Sequence, residues 1–325
     1  ACLVGSEMCI RDRLGSETAS TVSSRGVYKF PVEDKKSATY DDHQCSSYDV
    51  EACSWSNIPD EDFALADDNH WTIGQFVWTG FDYLGEPSPY DTNAWPNHSS
   101  MFGIIDLASI PKDRYYLYRS VWNKKAETLH ILPHWTWPGR EGKVTPVFVY
   151  TNHPTAELFI NGKSYGKQSK NNSSLKNRYR LMWIDAVYEP GEIKVVAYNK
   201  DGKAVAEKIV RTAGKPHHIE LVSNRNELTA DGKDLAYITV KVVDKDGNLC
   251  PADSRQINFS VKGAGKYRAA ANGDPTNLEQ FHLPKMHTFN GMLTAIVQSG
   301  ETAGEIVLTA KASGVKAGNI RIQTK

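Results

Sequence analysis

The last two hundred or so residues alternate short apolar segments with turn dipeptides, and this pattern restricts them to antiparallel β structure. Glu157–Ile160 runs directly into Asn161-Gly162, the dipeptide most typical of a tight hairpin. Thr145–Thr151 and Ile193–Asn199 are further segments rich in β-branched and aromatic residues. The spacing predicts an all-β sandwich over residues 125–214, which is the size of an immunoglobulin-like domain.

A second set of strands follows Lys215-Pro216. Apolar and polar residues alternate over residues 238–242, as in a half-buried strand. Asp231-Gly232 and Asp246-Gly247 mark turns on either side, and Glu305–Lys311 supplies a late strand. We therefore predict a second immunoglobulin-like sandwich over residues 215–325.

The first part of the chain has a different character, because seven of the eight tryptophans lie before residue 138. Thr72–Thr79 reads as a buried strand, Phe81–Tyr90 as a loop with two prolines, and Pro111–Trp122 as a helix. A strand, a loop with polar side chains and a helix form the repeating unit of a (β/α)8 TIM barrel, whose chemistry lies at the strand carboxyl ends. Residues 14–124 are expected to be the last strands and helices of such a barrel.

Charge and hydropathy exclude some classes of partner. The chain has 325 residues, with 38 Lys and Arg against 38 Asp and Glu, and a mean hydropathy of −0.48. No basic surplus is present to bind phosphates, so neither nucleic acid nor an anionic membrane is an expected partner. No apolar segment approaches the roughly 20 residues of a membrane span.

The five cysteines are odd in number and scattered, so a disulfide framework or a zinc site is not expected. Cys45 and Cys53 could pair, although two buried thiols are the commoner outcome. The histidines of the first part are too scattered for a metal site, and phosphate-loop, dinucleotide and G-x-S-x-G patterns are missing. We expect neither a metal nor another cofactor.

Ala1–Arg13 does not fit the rest of the chain. It lacks the basic start, apolar core and small-residue cleavage site of a signal peptide. It is interpreted as a foreign segment, and the protein is expected to extend upstream of this chain.

Three residues of the first part are candidates for chemistry. Glu17 follows Leu14-Gly15, so it either ends a strand at the top of a barrel or belongs to a helix N-terminus. Trp78 lies at the end of the strand expected at residues 72–79. Its ring either stacks on a sugar ring or belongs to the hydrophobic core. Asp82, with Glu86, could pair with Glu17 as acid and base, or be held by backbone N–H groups or by an arginine such as Arg114.

Taken in order, several longer segments resemble the C-terminal portion of glycoside hydrolase family 2 β-galactosidases of the Bacteroides type. The resemblance covers nearly everything after residue 13. The segments that carry it are residues 15–28 (GSETASTVSSRGVY), 40–49 (YDDHQCSSYD), 74–90 (GQFVWTGFDYLGEPSPY), 99–118 (SSMFGIIDLASIPKDRYYLY), 157–167 (ELFINGKSYGK), 270–277 (AANGDPTN) and 287–299 (HTFNGMLTAIVQS).

The resemblance implies a role for each candidate. Glu17 matches the nucleophile at the end of barrel strand seven, Trp78 the strand-eight tryptophan of the galactose subsite, and Asp82 a supporting acidic position. Retaining hydrolysis needs two carboxyl groups about 5 to 5.5 Å apart. The family's acid/base glutamate lies in an Asn-Glu pair at strand four. The Asn226-Glu227 pair of this chain lies in the last β domain, so the acid is expected upstream and the chain alone is expected to be inactive.

The residues before Gly103-Ile104 bear on the choice of sugar. Family 2 glucuronidases hold the sugar carboxylate with an Asn-x-Lys pair before Gly-Ile, whereas here Ser100-Met101-Phe102 precede Gly103-Ile104. A terminal β-D-galactoside is therefore favoured over a glucuronide. Phe102 also stands where some relatives place a sodium-binding asparagine, which argues against a metal.

Two alternative functions stay open: a noncatalytic carbohydrate-binding or cell-surface protein and a β-glucuronidase-type enzyme. A periplasmic or extracellular location and a homo-oligomer are further expectations.

Overall fold

The computed structural model describes residues 13–36 and 39–325. They form two compact units. The first holds the described residues up to Asp106 together with Pro111–Arg211, and the second holds Leu107–Ile110 and Thr212–Lys325. Of the segment expected to be foreign, residues 1–12 lie outside the described residues, and Arg13 begins the first strand.

The first unit mixes helices with strands. Its helices are α1 (Pro59–Asp68), α2 (Asp113–Trp122) and α3 (Leu175–Tyr179), with a short 3-10 turn at Asp91–Asn93. Its strands are β1 (Arg13–Ala19), β2 (Lys35–Lys36), β3 (Glu51–Ala52), β4 (Thr72–Trp78), β5 (Leu129–Leu132), β6 (Val147–Thr151), β7 (Thr155–Ile160), β8 (Lys163–Ser169), β9 (Leu181–Trp183), β10 (Glu192–Tyr198) and β11 (Ala204–Arg211).

The second unit consists of strands. They are β12 (His218–Ser223), β13 (Glu227–Leu228), β14 (Leu235–Val243), β15 (Gln256–Gly263), β16 (Gly265–Ala271), β17 (Lys285–His287), β18 (Met292–Ser299), β19 (Gly304–Lys311) and β20 (Gly318–Thr324). Strands therefore predominate over helices in the described residues.

Strands β1 and β4 pair in parallel, with α1 in the connection between them. The expected strand at residues 72–79 is β4, but none of its residues is buried, so the expectation of a buried strand is wrong. The expected helix at residues 111–122 is α2, which begins two residues later, at Asp113. Helix α1 was not predicted. Pro59 begins it and three acidic residues fill its first turn, which suits the positive end of the helix dipole. Its Phe63 packs edge-to-face on Tyr118 of α2, at 5.0 Å between ring centroids.

Two sheets follow in the first unit, in the orders β11-β10-β7-β8 and β5-β6-β9. Alternate residues of β10 point into their common core, so Ile193, Val195 and Ala197 are fully buried. The predicted hairpin is confirmed. β7 and β8 pair antiparallel through Asn161 and Gly162, whose φ angles of 49° and 80° fit a type I′ turn.

The second unit encloses its core between the sheets β12-β14-β18-β16 and β13-β20-β19-β15-β17. The alternation expected at residues 238–242 lies inside β14, where Ile238, Val240 and Val242 are fully buried while Tyr237 is exposed. The expected strand at residues 305–311 lies within β19.

A buried ionic cluster joins the helices of the first unit to its sheets. Arg180, which ends α3, donates from Nε to Asp60 Oδ1 of α1 at 2.9 Å and from Nη2 to Asp60 Oδ2. Its Nη1 also donates to the carbonyl oxygen of Tyr48 at 3.2 Å. Both charged side chains are fully buried. These contacts cross residue 124, so the expected boundary there stays a prediction.

The described cysteines are free thiols. Cys45, Cys53 and Cys250 are all buried, and burial raises the pKa of the Cys53 thiol to about 11. Cys45 and Cys53 are not paired, which agrees with the commoner of the two expected outcomes. Within residues 13–36 and 39–325, none of the helices has the length and apolar character that a membrane crossing requires.

Candidate active site

The carboxyl ends of β1 and β4 lie side by side. In the parallel register Thr18 is opposite Val77 and Ala19 is opposite Trp78, the last residue of β4. Glu17 lies two residues before the end of β1, where the register is irregular, and its side chain is exposed. The structure therefore brings the predicted nucleophile and the predicted sugar-binding tryptophan to the same edge of the strand pair.

The chain turns sharply just after Glu17. Ala19 and Ser20 have φ angles of 66° and 53°, the left-handed region that non-glycine residues seldom adopt. The Ser20 amide donates to the carbonyl oxygen of Thr18 at 2.9 Å. Each such residue costs about 1 to 3 kcal/mol, and outliers of this kind cluster at functional sites. This backbone strain is a structural mark of the Glu17 strand end that the sequence did not reveal.

A turn at residues 53–57 lies against this strand end. The Asn57 amide donates to the carbonyl oxygen of Ala19 at 3.1 Å, and Thr21 pairs with Ala52 of β3. The turn carries Trp55, whose side chain is 61% exposed. Sequence reasoning did not single out Trp55, and only its place between two turn-forming serines marks it.

Trp78 is half-buried. Its indole meets the ring of Tyr83 edge-to-face, with 6.0 Å between centroids and 80° between planes. The Tyr83 hydroxyl donates to Glu86, and burial together with that bond raises the pKa of Tyr83 to about 12. Trp78 also packs against a buried cluster that includes Met101 and Phe102. The Trp78 side chain is therefore held from two sides.

Asp82 is buried and its carboxylate is fully engaged. Lys112 Nζ lies 2.7 Å from Oδ2 and 2.9 Å from Oδ1, and the Gly103 amide donates to Oδ1 at 2.8 Å. Burial raises the pKa of Asp82 to about 6 and Lys112 opposes the rise, so the carboxylate is ionised at neutral pH. Of the two interpretations left open, these contacts favour a loop carboxylate over an acid/base partner for Glu17.

The partner of Asp82 differs from the expected one. Arg114, named as a possible partner, instead donates to the carbonyl oxygens of Phe102 and Gly103, at 2.8 and 3.1 Å. Lys112 takes its place and also donates to the carbonyl oxygen of Ser23 at 2.6 Å. Lys112 and Arg114 therefore bond to the loops of this region rather than face a ligand.

Ser100, Met101 and Phe102, which precede Gly103-Ile104, are fully buried. Ser100 Oγ accepts a hydrogen bond from the Tyr83 amide at 3.0 Å. These side chains pack the loop after β4. In the part of the chain that the structure describes, no group of three or more His, Cys, Asp or Glu side chains could hold a metal ion.

Two family models match the sequence. Residues 219–321 match glycoside hydrolase family 2 C-terminal domain 5, and residues 142–206 match a domain of unknown function, DUF4982. Beta-galactosidase BoGH2A of Bacteroides ovatus is 41% identical over 319 residues, which cover 95% of this chain and 36% of the relative. A beta-glucuronidase of Formosa agariphila is 25% identical over 266 residues, covering 80% of this chain and 26% of that protein.

Solved structures agree with these relatives. The crystal structure of a beta-glycosidase from Bacteroides vulgatus superimposes with a TM-score of 0.83 at 31% identity, covering 95% of this chain and 41% of that one. The chain spans only about a third of the length of the Bacteroides ovatus relative. The matched C-terminal domain, the 41% identity and the structural agreement over almost the whole chain show that it belongs to glycoside hydrolase family 2.

Proposed function

We propose that this chain supplies the nucleophile and part of the sugar pocket for retaining hydrolysis of terminal β-D-galactosides. The observation that carries the proposal is the pairing of Ala19 with Trp78, which sets Glu17 and an aromatic ring at the same end of two parallel strands. An exposed carboxylate there is open to a sugar, as a nucleophile must be. The relative that is 41% identical is a β-galactosidase, which supports the choice of sugar.

We propose further that β1 and β4 are the last two strands of a (β/α)8 barrel and that the sheets after them form two immunoglobulin-like sandwiches. The parallel pairing with α1 in the connection supports the first part. Ile73 and Phe76 of β4 are 61% and 64% exposed, which suits a strand that packs against more protein.

Retaining hydrolysis proceeds in two steps. Glu17 attacks the anomeric carbon, the glycosidic bond to the leaving group breaks, and the leaving oxygen takes a proton from a second carboxyl group. Water then releases the sugar with the anomeric configuration retained. Asp82 is bound to Lys112 and is not that second group. Glu227 belongs to the second unit, on β13, and its carboxylate is bonded to Lys325. We therefore propose that the acid is supplied by a part of the family architecture beyond these residues, and that the chain alone is inactive.

The test uses a chimera in which this chain replaces the aligned segment of the Bacteroides ovatus β-galactosidase. The chimera and the chain alone are assayed on nitrophenyl β-D-galactoside and on the matching β-D-glucuronide. We expect galactoside hydrolysis by the chimera with retention, seen by proton NMR of the first-formed sugar, and none by the chain alone. Glu17→Gln removes the nucleophile, so kcat falls by several orders of magnitude. The surface variant Glu33→Gln is the matched control.

Each other outcome counts against a defined part of the proposal. Activity that survives Glu17→Gln rejects the nucleophile, and an inverted product rejects the retaining route. Preference for the glucuronide would favour a β-glucuronidase-type enzyme, the activity for which the Formosa agariphila relative is named. A folded chimera with no activity on either glycoside rejects the proposed function as a whole.

A further inference from the structure

Trp55 is an exposed aromatic residue on a hydrogen-bonded turn. Trp55 is 61% exposed, although Cys53 and Ser56 of the same turn are buried. The Cys53 amide donates to Ser56 Oγ at 2.9 Å, and the Ser56 amide donates to the carbonyl oxygen of Cys53 at 3.1 Å. Asn57 Nδ2 donates to Asp62 Oδ2 of α1 at 2.7 Å. These hydrogen bonds hold the turn in the conformation that leaves the indole exposed to solvent.

The turn places Trp55 beside the candidate nucleophile. Asn57 is hydrogen-bonded to Ala19, two residues after Glu17. The Trp55 ring also meets the buried Phe102 ring, at 5.8 Å between centroids and 57° between planes. Phe102 belongs to the buried cluster on which Trp78 packs. The two indoles thus rest on one cluster, at the strand end that carries Glu17.

An exposed indole at this place suits a sugar ring. The face of an indole packs well on an apolar face, and a pyranose presents one through its axial C–H groups, while the indole N–H keeps a polar contact. A neutral ring needs no charged partner, and Lys112 and Arg114 nearby are buried and engaged with the loops. Trp78 already serves the terminal galactose in the proposed function, so Trp55 is left for a second sugar.

We propose that Trp55 forms the subsite for the sugar unit to which the terminal galactose is attached, the leaving group of the reaction. This inference rests on the proposed function and assigns its substrate as a β-galactosyl disaccharide or longer glycan. The indole face stacks on that second ring and holds the glycosidic bond over Glu17.

The test measures binding to the intact chain, so it requires no turnover. Isotope-labelled tryptophan gives one indole N–H signal for each of the eight tryptophans, and single variants assign them. The ligands are methyl β-D-galactoside and the disaccharide lactose. We expect both ligands to shift the Trp78 signal and only lactose to shift the Trp55 signal. Trp55→Ala should raise the Kd of lactose by roughly threefold to tenfold and leave that of the methyl galactoside unchanged.

Trp95→Ala is the matched control, because Trp95 is 72% exposed on a different loop, after the 3-10 turn. It should change neither Kd. If both ligands bind through Trp78 and Trp55→Ala weakens neither, the subsite is rejected while the proposed function stands. If Trp55→Ala weakens both ligands equally, Trp55 belongs to the galactose pocket and the assignment is wrong. If neither ligand binds, the subsite is rejected for this chain, while the proposed function is decided by the chimera.

Discussion

Lys112 Nζ lies 2.7 Å from Asp82 Oδ2, and both side chains are buried. The same ammonium donates to the carbonyl oxygens of Ser23, at 2.6 Å, and of Met101, at 3.2 Å. One buried cation thus ties together the segment after β1, the loop after β4 and the start of α2. Because an ammonium has three donors and no acceptor, this arrangement uses its full bonding capacity.

Asp82→Asn should destabilise the first unit. The substitution takes away the carboxylate bonded to the buried Lys112 ammonium, which costs about 3 to 5 kcal/mol of the free energy of unfolding. All eight tryptophans lie in the first unit, so urea unfolding followed by tryptophan fluorescence reports on that unit alone.

Two further variants control this measurement. Glu33→Gln removes a solvent-exposed partner of Lys35 at 3.2 Å and should change the free energy of unfolding by less than about 1 kcal/mol. Asp82→Asn combined with Lys112→Met removes both charges and should recover much of the loss. Equal losses in the single and double variants would contradict the ion-pair explanation.

Gly103→Ala should disrupt the same loop. A Cβ atom on Gly103 would lie 2.1 Å from the Asp82 amide nitrogen and 2.4 Å from the carbonyl oxygen of Ile105, and neither backbone atom can move without breaking its bonds. Overpacking of this kind costs about 1 to 3 kcal/mol. A Cβ on Gly80 meets open space, so Gly80→Ala is the matched control and should be neutral. Similar unfolding midpoints for the two variants would show that the loop yields.

Local signals predicted part of this architecture correctly. Asn161-Gly162 fixes its hairpin because the turn geometry depends on those two residues alone. The β-branched and aromatic residues at 72–79 predicted the strand β4 but not its exposure. Helix α1 was missed because only Pro59, Phe63 and Ala64 of its apolar residues are buried, and its many acidic residues indicated loops.

The candidate site depends on contacts that are distant along the chain. Glu17 and Trp78 could be named from strand ends, but the register that sets Ala19 opposite Trp78 comes only from tertiary pairing. Lys112 could not be identified as the partner of Asp82, because Arg114 lies two residues away and carries the same charge. Trp55 was missed because its turn is brought to the end of β1 by the hydrogen bond between Asn57 and Ala19, which are distant along the chain.

Arg180→Met should destabilise the first unit far more than Arg178→Met. Arg180 and Asp60 are fully buried, so removing the cation leaves an isolated buried carboxylate, at a cost of about 3 to 5 kcal/mol. Arg178, two residues earlier, pairs with Asp68 at 2.8 Å at the surface, where the carboxylate is 59% exposed. Water replaces that partner, so Arg178→Met should leave the urea midpoint nearly unchanged. A comparable shift for both variants would contradict the burial argument.

Asp49 should make the stability of the first unit depend on pH. Burial raises its pKa to about 7 against the opposing effect of Arg114 and Arg180, whereas in the unfolded chain a value of about 3.9 applies. The folded state therefore holds the proton more tightly. The stability from Asp49 is fully present below about pH 4 and is lost as the pH rises towards 7. Between pH 5 and pH 8 this loss amounts to about 2 to 3 kcal/mol.

The measurement for Asp49 is the urea unfolding of the wild type and of Asp49→Asn at pH 5 and pH 8. The asparagine cannot ionise, so its free energy of unfolding should fall by less than that of the wild type over this range. The difference between the two falls isolates Asp49, because every other ionisable group is the same in both proteins. Tyr150, whose hydroxyl donates to Asp49 Oδ2 at 3.1 Å, can make the same bond to the amide oxygen. Equal falls in the two proteins would show that Asp49 does not keep its proton in the folded chain.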